Sequence, residues 1–114
     1  MPQCKFVVLY ALPADPSEFL DQYYSTHLPL VAALPGLART EVSRVSRVVR
    51  GEPGFALMAE MYFADRDALR AALKSPEWAA AGENLALLGG VERSTMVIAE
   101  LVEAHQSSVE SRTV

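Results

Sequence analysis

Apolar and polar positions along this chain change period several times, and each change marks an element. From Lys5 to Leu12 nearly every residue is apolar and several are β-branched. That pattern predicts a buried strand, closed by Pro13. From Asp15 to Leu37 the period becomes helical. At about 100° per residue, Phe19, Leu20, Tyr23, Tyr24, His27, Leu30, Val31 and Leu34 share one side. Ser17, Glu18, Asp21, Gln22, Ser25 and Thr26 share the other. Asp15 is placed to cap this amphipathic helix, Pro16 to take its first position, and Glu18 to complete an acidic capping box. Pro29 lacks an N–H and clashes with the carbonyl one turn back, so a kink near Leu28, or a fresh turn starting at Pro29, is expected. Pro35-Gly36 ends the helix, with Gly36 free to take positive φ.

The second half repeats the alternation. Leu37 to Arg50 mixes Arg39, Arg44, Arg47 and Arg50 with Val42, Val45, Val48 and Val49, which suits a long strand near a sheet edge. Gly51 to Gly54 reads as a turn and Phe55 to Phe63 as a third strand. Asp65 can cap a short helix through Leu73, with Ala68, Leu69, Ala72 and Leu73 facing inward. Ser75-Pro76-Glu77 opens another, with Trp78, Ala81, Leu85 and Leu88 at helical spacing, and Gly89-Gly90 stops it. Glu92 to Val102 is the fourth strand. The order β-α-β-β-α-β predicts an α+β, ferredoxin-like fold: a four-stranded antiparallel sheet with helices on one face. Residues 1–102 form the domain. Residues 103–114 carry two valines and no period, and read as a flexible tail.

A sheet covered on one face should alternate apolar with polar, and these strands do not. The first offers Phe6, Val8 and Tyr10 on one face and Val7 and Leu9 on the other. The third sets Phe55, Leu57, Met61 and Phe63 against Met58 and Tyr62, and the fourth sets Val97 and Leu101 against Met96 and Ile98. A bare face of that kind is an apolar patch large enough to require a partner, most simply a second copy packed sheet against sheet.

Composition narrows the partners. With 51% apolar and 21% charged residues the chain is an ordinary globular protein. A formal net charge of −4 argues against nucleic acid or an anionic membrane as partner. Its longest apolar run is too short to span a bilayer. A single cysteine, Cys4, excludes an internal disulfide and fits the cytoplasm, and His and Cys never cluster as metal ligands do.

Few residues carry chemistry. His27 falls on the buried side of the first helix, beside the kink. It is either a core histidine satisfied by a freed carbonyl or a tyrosine, or a ligand-facing acid/base. Tyr23, Tyr24, Tyr10 and Tyr62 either pack and satisfy their hydroxyls locally or donate to a substrate oxygen. Trp78 is a core or lid residue, or it lines a cavity. Glu60 shares a face with Tyr62, which points to a pair with an arginine at a seam, or to a base of raised pKa. No nucleophile elbow or phosphate loop is present.

The segments YYSTHLPLVAALPGL and FALMAEMYFADRDALRAALKSPEW resemble the EthD family, within the dimeric α/β-barrel superfamily, over roughly Phe6 to Val102. The resemblance implies a homodimer whose two sheets close into a barrel, with a cavity beside each sheet and no cofactor. EthD-like proteins are associated with bacterial degradation of ethyl tert-butyl ether beside a cytochrome P450 system. Relatives include a methylmuconolactone isomerase and cofactor-free oxygenases of aromatic polyketides. His27 matches the histidine that such an isomerase uses in its pocket. Thr40 and Met61 stand where it has a tyrosine and a cysteine. Threonine is a weaker acid than tyrosine and a thioether has no proton to transfer, so that enzyme's own reaction does not carry over. The expected site is therefore His27 as acid/base, with Tyr23, Tyr24, Thr40, Met61 and Trp78 around a small hydrophobic, oxygen-containing molecule. The expected activity is cofactor-free oxygenation or isomerisation. The alternatives are an accessory protein that binds such a metabolite for an ether-type P450 system, and a structural dimer with a vestigial pocket.

Overall fold

The computed structural model describes residues 3–107. Strand β1 (Cys4–Tyr10) leads into helix α1 (Ser17–Gln22), a π-helical turn (Tyr23–His27) and helix α2 (Leu28–Ala32). A hairpin of β2 (Leu37–Arg44) and β3 (Leu57–Phe63) follows, then α3 (Arg66–Leu73), α4 (Pro76–Leu87) and β4 (Ser94–Glu100). The strands lie in the order β2-β3-β1-β4 with every neighbour antiparallel, so the chain is ferredoxin-like.

The stretch expected as one helix is three pieces. The Leu28 N–H reaches back to the Tyr23 carbonyl, one residue further than in an α-helix. This wide turn lies immediately ahead of Pro29, whose ring would otherwise press on the carbonyl one turn back. Pro29 then sits in the first turn of α2, where a missing N–H costs nothing. The start also differs from expectation. Pro16 is the cap rather than the first helical residue. Asp15 folds onto Ser17 instead, accepting from its N–H at 3.2 Å and its hydroxyl at 2.7 Å.

The later helices begin as expected. The Asp65 carboxylate accepts the Ala68 N–H at 2.9 Å, and the Ser75 hydroxyl accepts the Trp78 N–H at 3.1 Å. All four strands are shorter than expected: β1 ends at Tyr10 rather than Leu12, and β4 spans Ser94–Glu100 rather than Glu92 to Val102. The hairpin adds one hydrogen bond beyond β2, from the Val45 N–H to Ala56, so Arg47, Val48, Val49 and Arg50 lie in an exposed connection. Phe55 lies outside β3 for the same reason. Residues 101–107 are exposed and without regular structure, and the rest of the expected tail lies outside the described residues.

Register sorts the sheet into two faces. Toward the helices, Phe6, Val8 and Tyr10 stand opposite Met61, Ala59 and Leu57. These residues build the core with Phe19, Tyr23, Val31, Leu34, Leu69 and Leu85. The opposite face is less apolar than its sequence implied. Val7, Leu9, Met58 and Val97 form an apolar part, but beside them lies a polar network. Lys5 meets Glu60 at 2.7 Å, so the partner of Glu60 is a lysine and not the expected arginine. The Tyr62 hydroxyl lies within 3.3 Å of Glu60 and 3.2 Å of Glu41. The Arg39 guanidinium covers the Tyr62 ring at 3.8 Å and pairs with Glu41 at 3.0 Å. Three strands contribute side chains to this network, and alternation along any one of them could not reveal it.

Gly36 adopts φ +75° where α2 turns into β2. A Cβ there would meet Ala68 at an ordinary 3.7 Å, so backbone conformation, rather than space, requires glycine. Gly36→Val should lose about 1 kcal/mol or more of stability in urea unfolding, because a β-branched residue fits left-handed backbone poorly. An unchanged midpoint would contradict that assignment.

Candidate functional site

A cavity of about 240 Å³ lies between the sheet and the helices. Its floor includes Phe6, Val8 and Met61, and Thr40 reaches it from β2, where it pairs with Met61. The π-helical turn and α2 supply Tyr23, His27 and Val31, and α4 supplies Trp78, Ala81 and Gly82. Five of the six residues expected around a ligand therefore converge on one space. Tyr24 does not line it. With Tyr23 aimed inward, the next residue is turned toward solvent, and Tyr24 is 51% exposed with its ring edge against Tyr23.

An aromatic column holds His27 in place. Its ring stacks on Tyr23 at 5.2 Å, Tyr23 stacks on Phe19 at 5.7 Å, and Tyr10 meets Tyr23 edge-on at 5.3 Å. On the floor, Trp78 meets Phe6 edge-on at 4.8 Å. The His27 Nδ1 lies 3.2 Å from the Asn84 Oδ1, a contact that is a hydrogen bond in the tautomer with Nδ1 protonated. Among the described residues nothing bonds its Nε2.

Asn84 was not a candidate from sequence. The available signal was a lone amide beside Leu88 on the inward arc of α4, and only the fold puts that amide against His27. Gly82 was missed too. It sits inside a helix, where glycine is unfavourable, and a Cβ there would meet nothing within 4 Å.

The site carries no formal charge. Neither a carboxylate, a lysine nor an arginine lines the cavity. Burial pushes His27 below its ordinary pKa, and the Asn84 bond offsets this only in part, so the imidazole is neutral at pH 7. Burial raises Tyr10 to about 12, against a smaller lowering by its hydrogen bond with Tyr23. Tyr23 is raised as well, chiefly by burial. Both phenols therefore keep their protons. The Thr40 hydroxyl oxygen is buried and has no hydrogen-bond partner among the described residues, an unusual and costly state for a polar atom. Outside the cavity, burial and then Glu100 raise the Cys4 thiol, which argues against an activated nucleophile. Among the described residues no group of three His, Cys, Asp or Glu is placed to hold a metal, and no helix is long and apolar enough to cross a membrane.

Comparison with known proteins places this arrangement. The solved structure of an ethyl tert-butyl ether degradation (EthD) family protein from Bacillus halodurans superposes with a TM-score of 0.79 at 33% identity, covering 88% of this chain and 99% of that one. An uncharacterized 11.0 kDa protein from the thcB-thcC intergenic region of Rhodococcus erythropolis is 30% identical over 82 residues, which is 72% of this chain and 76% of that protein. Two more distant structures share the fold. One is a dimeric ferredoxin-like protein of unknown function from Thermobifida fusca, at TM-score 0.66 and 17% identity, covering 88% and 92% of the two chains. The other is SnoaB, a cofactor-independent oxygenase from Streptomyces nogalater, at TM-score 0.60 and 20% identity, covering 95% and 98%. The EthD domain model matches residues 12–86, a span that contains His27, Thr40, Met61, Trp78 and Asn84. With that span about two-thirds of its length, the chain belongs to the EthD family.

Proposed function

We propose that this protein binds a small, mainly apolar, uncharged molecule bearing oxygen, with neutral His27 as the acid/base that exchanges a proton with it. The observation that carries this reading is a mainly apolar cavity lined by both His27 and Thr40, whose buried hydroxyl has no hydrogen-bond partner among the described residues. The reaction class that fits is proton transfer in a cofactor-free oxygenation or isomerisation. The similarity to SnoaB supports a frame suited to such chemistry. A second reading is a binding protein that holds the same molecule for another enzyme. It is favoured by the amide, rather than carboxylate, behind His27 and by the absence of a second acid among the lining residues.

The working unit in this proposal is a cytosolic homodimer closed into a barrel. Its support is the sheet face left without helices, where Val7, Leu9, Met58 and Val97 gather, and the dimeric description of the Thermobifida fusca neighbour. Sedimentation at micromolar concentration should give twice the chain mass. A folded monomer would contradict the barrel.

Trp78 is the only tryptophan and lines the cavity, so its fluorescence reports occupancy. Gly82→Leu should leave stability equal or higher, since leucine is the better helix former by up to ~1 kcal/mol, while filling the open space beside the cavity. Its affinity for a small aromatic probe should drop about tenfold or more, as should that of His27→Ala. Affinities unchanged in both variants would reject the cavity as the site.

Acid should also destabilise the fold through His27. Its folded pKa lies below the ordinary 6.5, so the unfolded chain takes the proton first. Its contribution is complete above that value and is lost as pH falls from there toward the folded pKa. The carboxylates held low, Asp15 and Glu41, start from ordinary values of 3.8 and 4.5 and act only at lower pH. Between about pH 7 and 5.5 the melting temperature should fall by a few degrees, and His27→Leu should flatten that decline. An equal decline in the variant would assign the effect elsewhere.

A further inference from the structure

We infer that Asn84 is a positioning residue that sets the tautomer of His27, and that the site thereby selects a neutral hydroxyl-bearing ligand, such as a phenol, over an ether or carboxylate of the same shape. This inference rests on the cavity reading above and specifies its ligand.

Asn84 does not line the cavity. It stands behind the imidazole, with its Oδ1 3.2 Å from Nδ1. An amide oxygen only accepts, so this contact exists when Nδ1 carries the proton. A neutral imidazole has one N–H, and depression of its pKa by burial keeps the ring neutral. Nε2 is then a bare lone pair. It can accept a hydrogen bond from a ligand and cannot donate one. A ligand that offers only acceptors, such as an ether or a ketone, leaves Nε2 desolvated and unpaired.

Thr40 supplies the complementary half. Its buried hydroxyl oxygen has no partner among the described residues, and a hydroxyl both donates and accepts. It can therefore donate to the ligand oxygen whose proton points at His27, or serve a second oxygen. Tyr10 and Tyr23 also line the cavity, and there the Tyr23 hydroxyl is directed at the Tyr10 oxygen, which leaves the Tyr10 O–H as a further donor. Anions are excluded separately. With no cation along the cavity wall, a carboxylate entering this volume would lose its hydration without gaining a counter-charge.

The test has two independent arms. Nitrogen-15 NMR of the wild-type imidazole, which needs no ligand, should find Nδ1 protonated and Nε2 bare. Asn84→Leu should shift the proton toward Nε2, and Asn84→Asp, which keeps an acceptor there but raises the imidazole pKa, should restore the proton to Nδ1 once the pH is high enough for the ring to be neutral. In the second arm, quenching of Trp78 is followed with 4-methylphenol, its methyl ether 4-methylanisole, and 4-methylbenzoate. The phenol should bind about tenfold tighter than the ether, the benzoate should not bind measurably, and Asn84→Leu should shrink the phenol preference to within about twofold. A wild-type proton on Nε2, or equal binding of phenol and ether, overturns the inference while the quench itself upholds the cavity. No quench by any of the three overturns the cavity reading, and the ligand preference with it. Should Asn84→Leu not fold, the wild-type tautomer and the Asn84→Asp variant still decide.

Discussion

The site depends on a hydrogen bond that cannot form. Pro29 has no N–H, so the helix that begins at Ser17 cannot continue its regular ladder through that point. The chain responds with a wide turn between Tyr23 and His27, one residue ahead of which the helix is regular and one residue after which it resumes. That turn lies directly over β1. It brings Tyr23 onto Tyr10 and Phe19, and stacks His27 on Tyr23. An uninterrupted α-helix would rotate the residues after Tyr23 differently and would change which of them face the sheet. π-helical turns of this kind are frequent at functional sites because they re-aim side chains within a rigid element.

Small residues then keep the space beneath that turn open. Ala59 on β3, and Ala81 and Gly82 on α4, stand where larger side chains would fill the volume. An apolar void forfeits dispersion contacts on every wall and is a cost to folding. Burying Thr40 with no partner among the described residues adds a second cost, and the burial that lowers the His27 pKa adds a third. Three departures from good packing thus coincide at one place, in a fold whose remaining core is dense with Phe, Leu, Val and Met. The polar groups that line the cavity are uncharged.

The two faces of the sheet divide the work. The helix side carries the cavity and the aromatic column. The other side carries an apolar strip and a compact network of Lys5, Glu60, Tyr62, Glu41 and Arg39 drawn from β1, β3 and β2. The charges of this network are matched within the chain, Lys5 with Glu60 and Arg39 with Glu41.

Much of this protein is written locally. The order of elements followed from period alone, because strand and helix repeats differ and Asp65, Ser75, Gly36 and Gly89 punctuate them. The two-sided apolar pattern of β1 and β3, and the placement of His27, Tyr23, Thr40, Met61 and Trp78 around one space, were also within reach of the sequence read beside its family. What required the tertiary structure is whatever depends on residues distant in the chain. Asn84 faces His27 across 57 positions, and no local spacing couples an amide on α4 to an imidazole on the π-helical turn. Lys5 finds Glu60 because the register of β1 against β3 sets Lys5 opposite Tyr62 and Glu60 diagonally beside it, a relation absent from either strand by itself. Tyr24 looked equivalent to Tyr23 on a helical projection. The packing of Tyr10 and Phe19 around only one of them sent the other to solvent. Periodicity encodes which side of an element is apolar. Which polar atom on that side lacks a partner is a property of three elements meeting, and so it is decided only when they do.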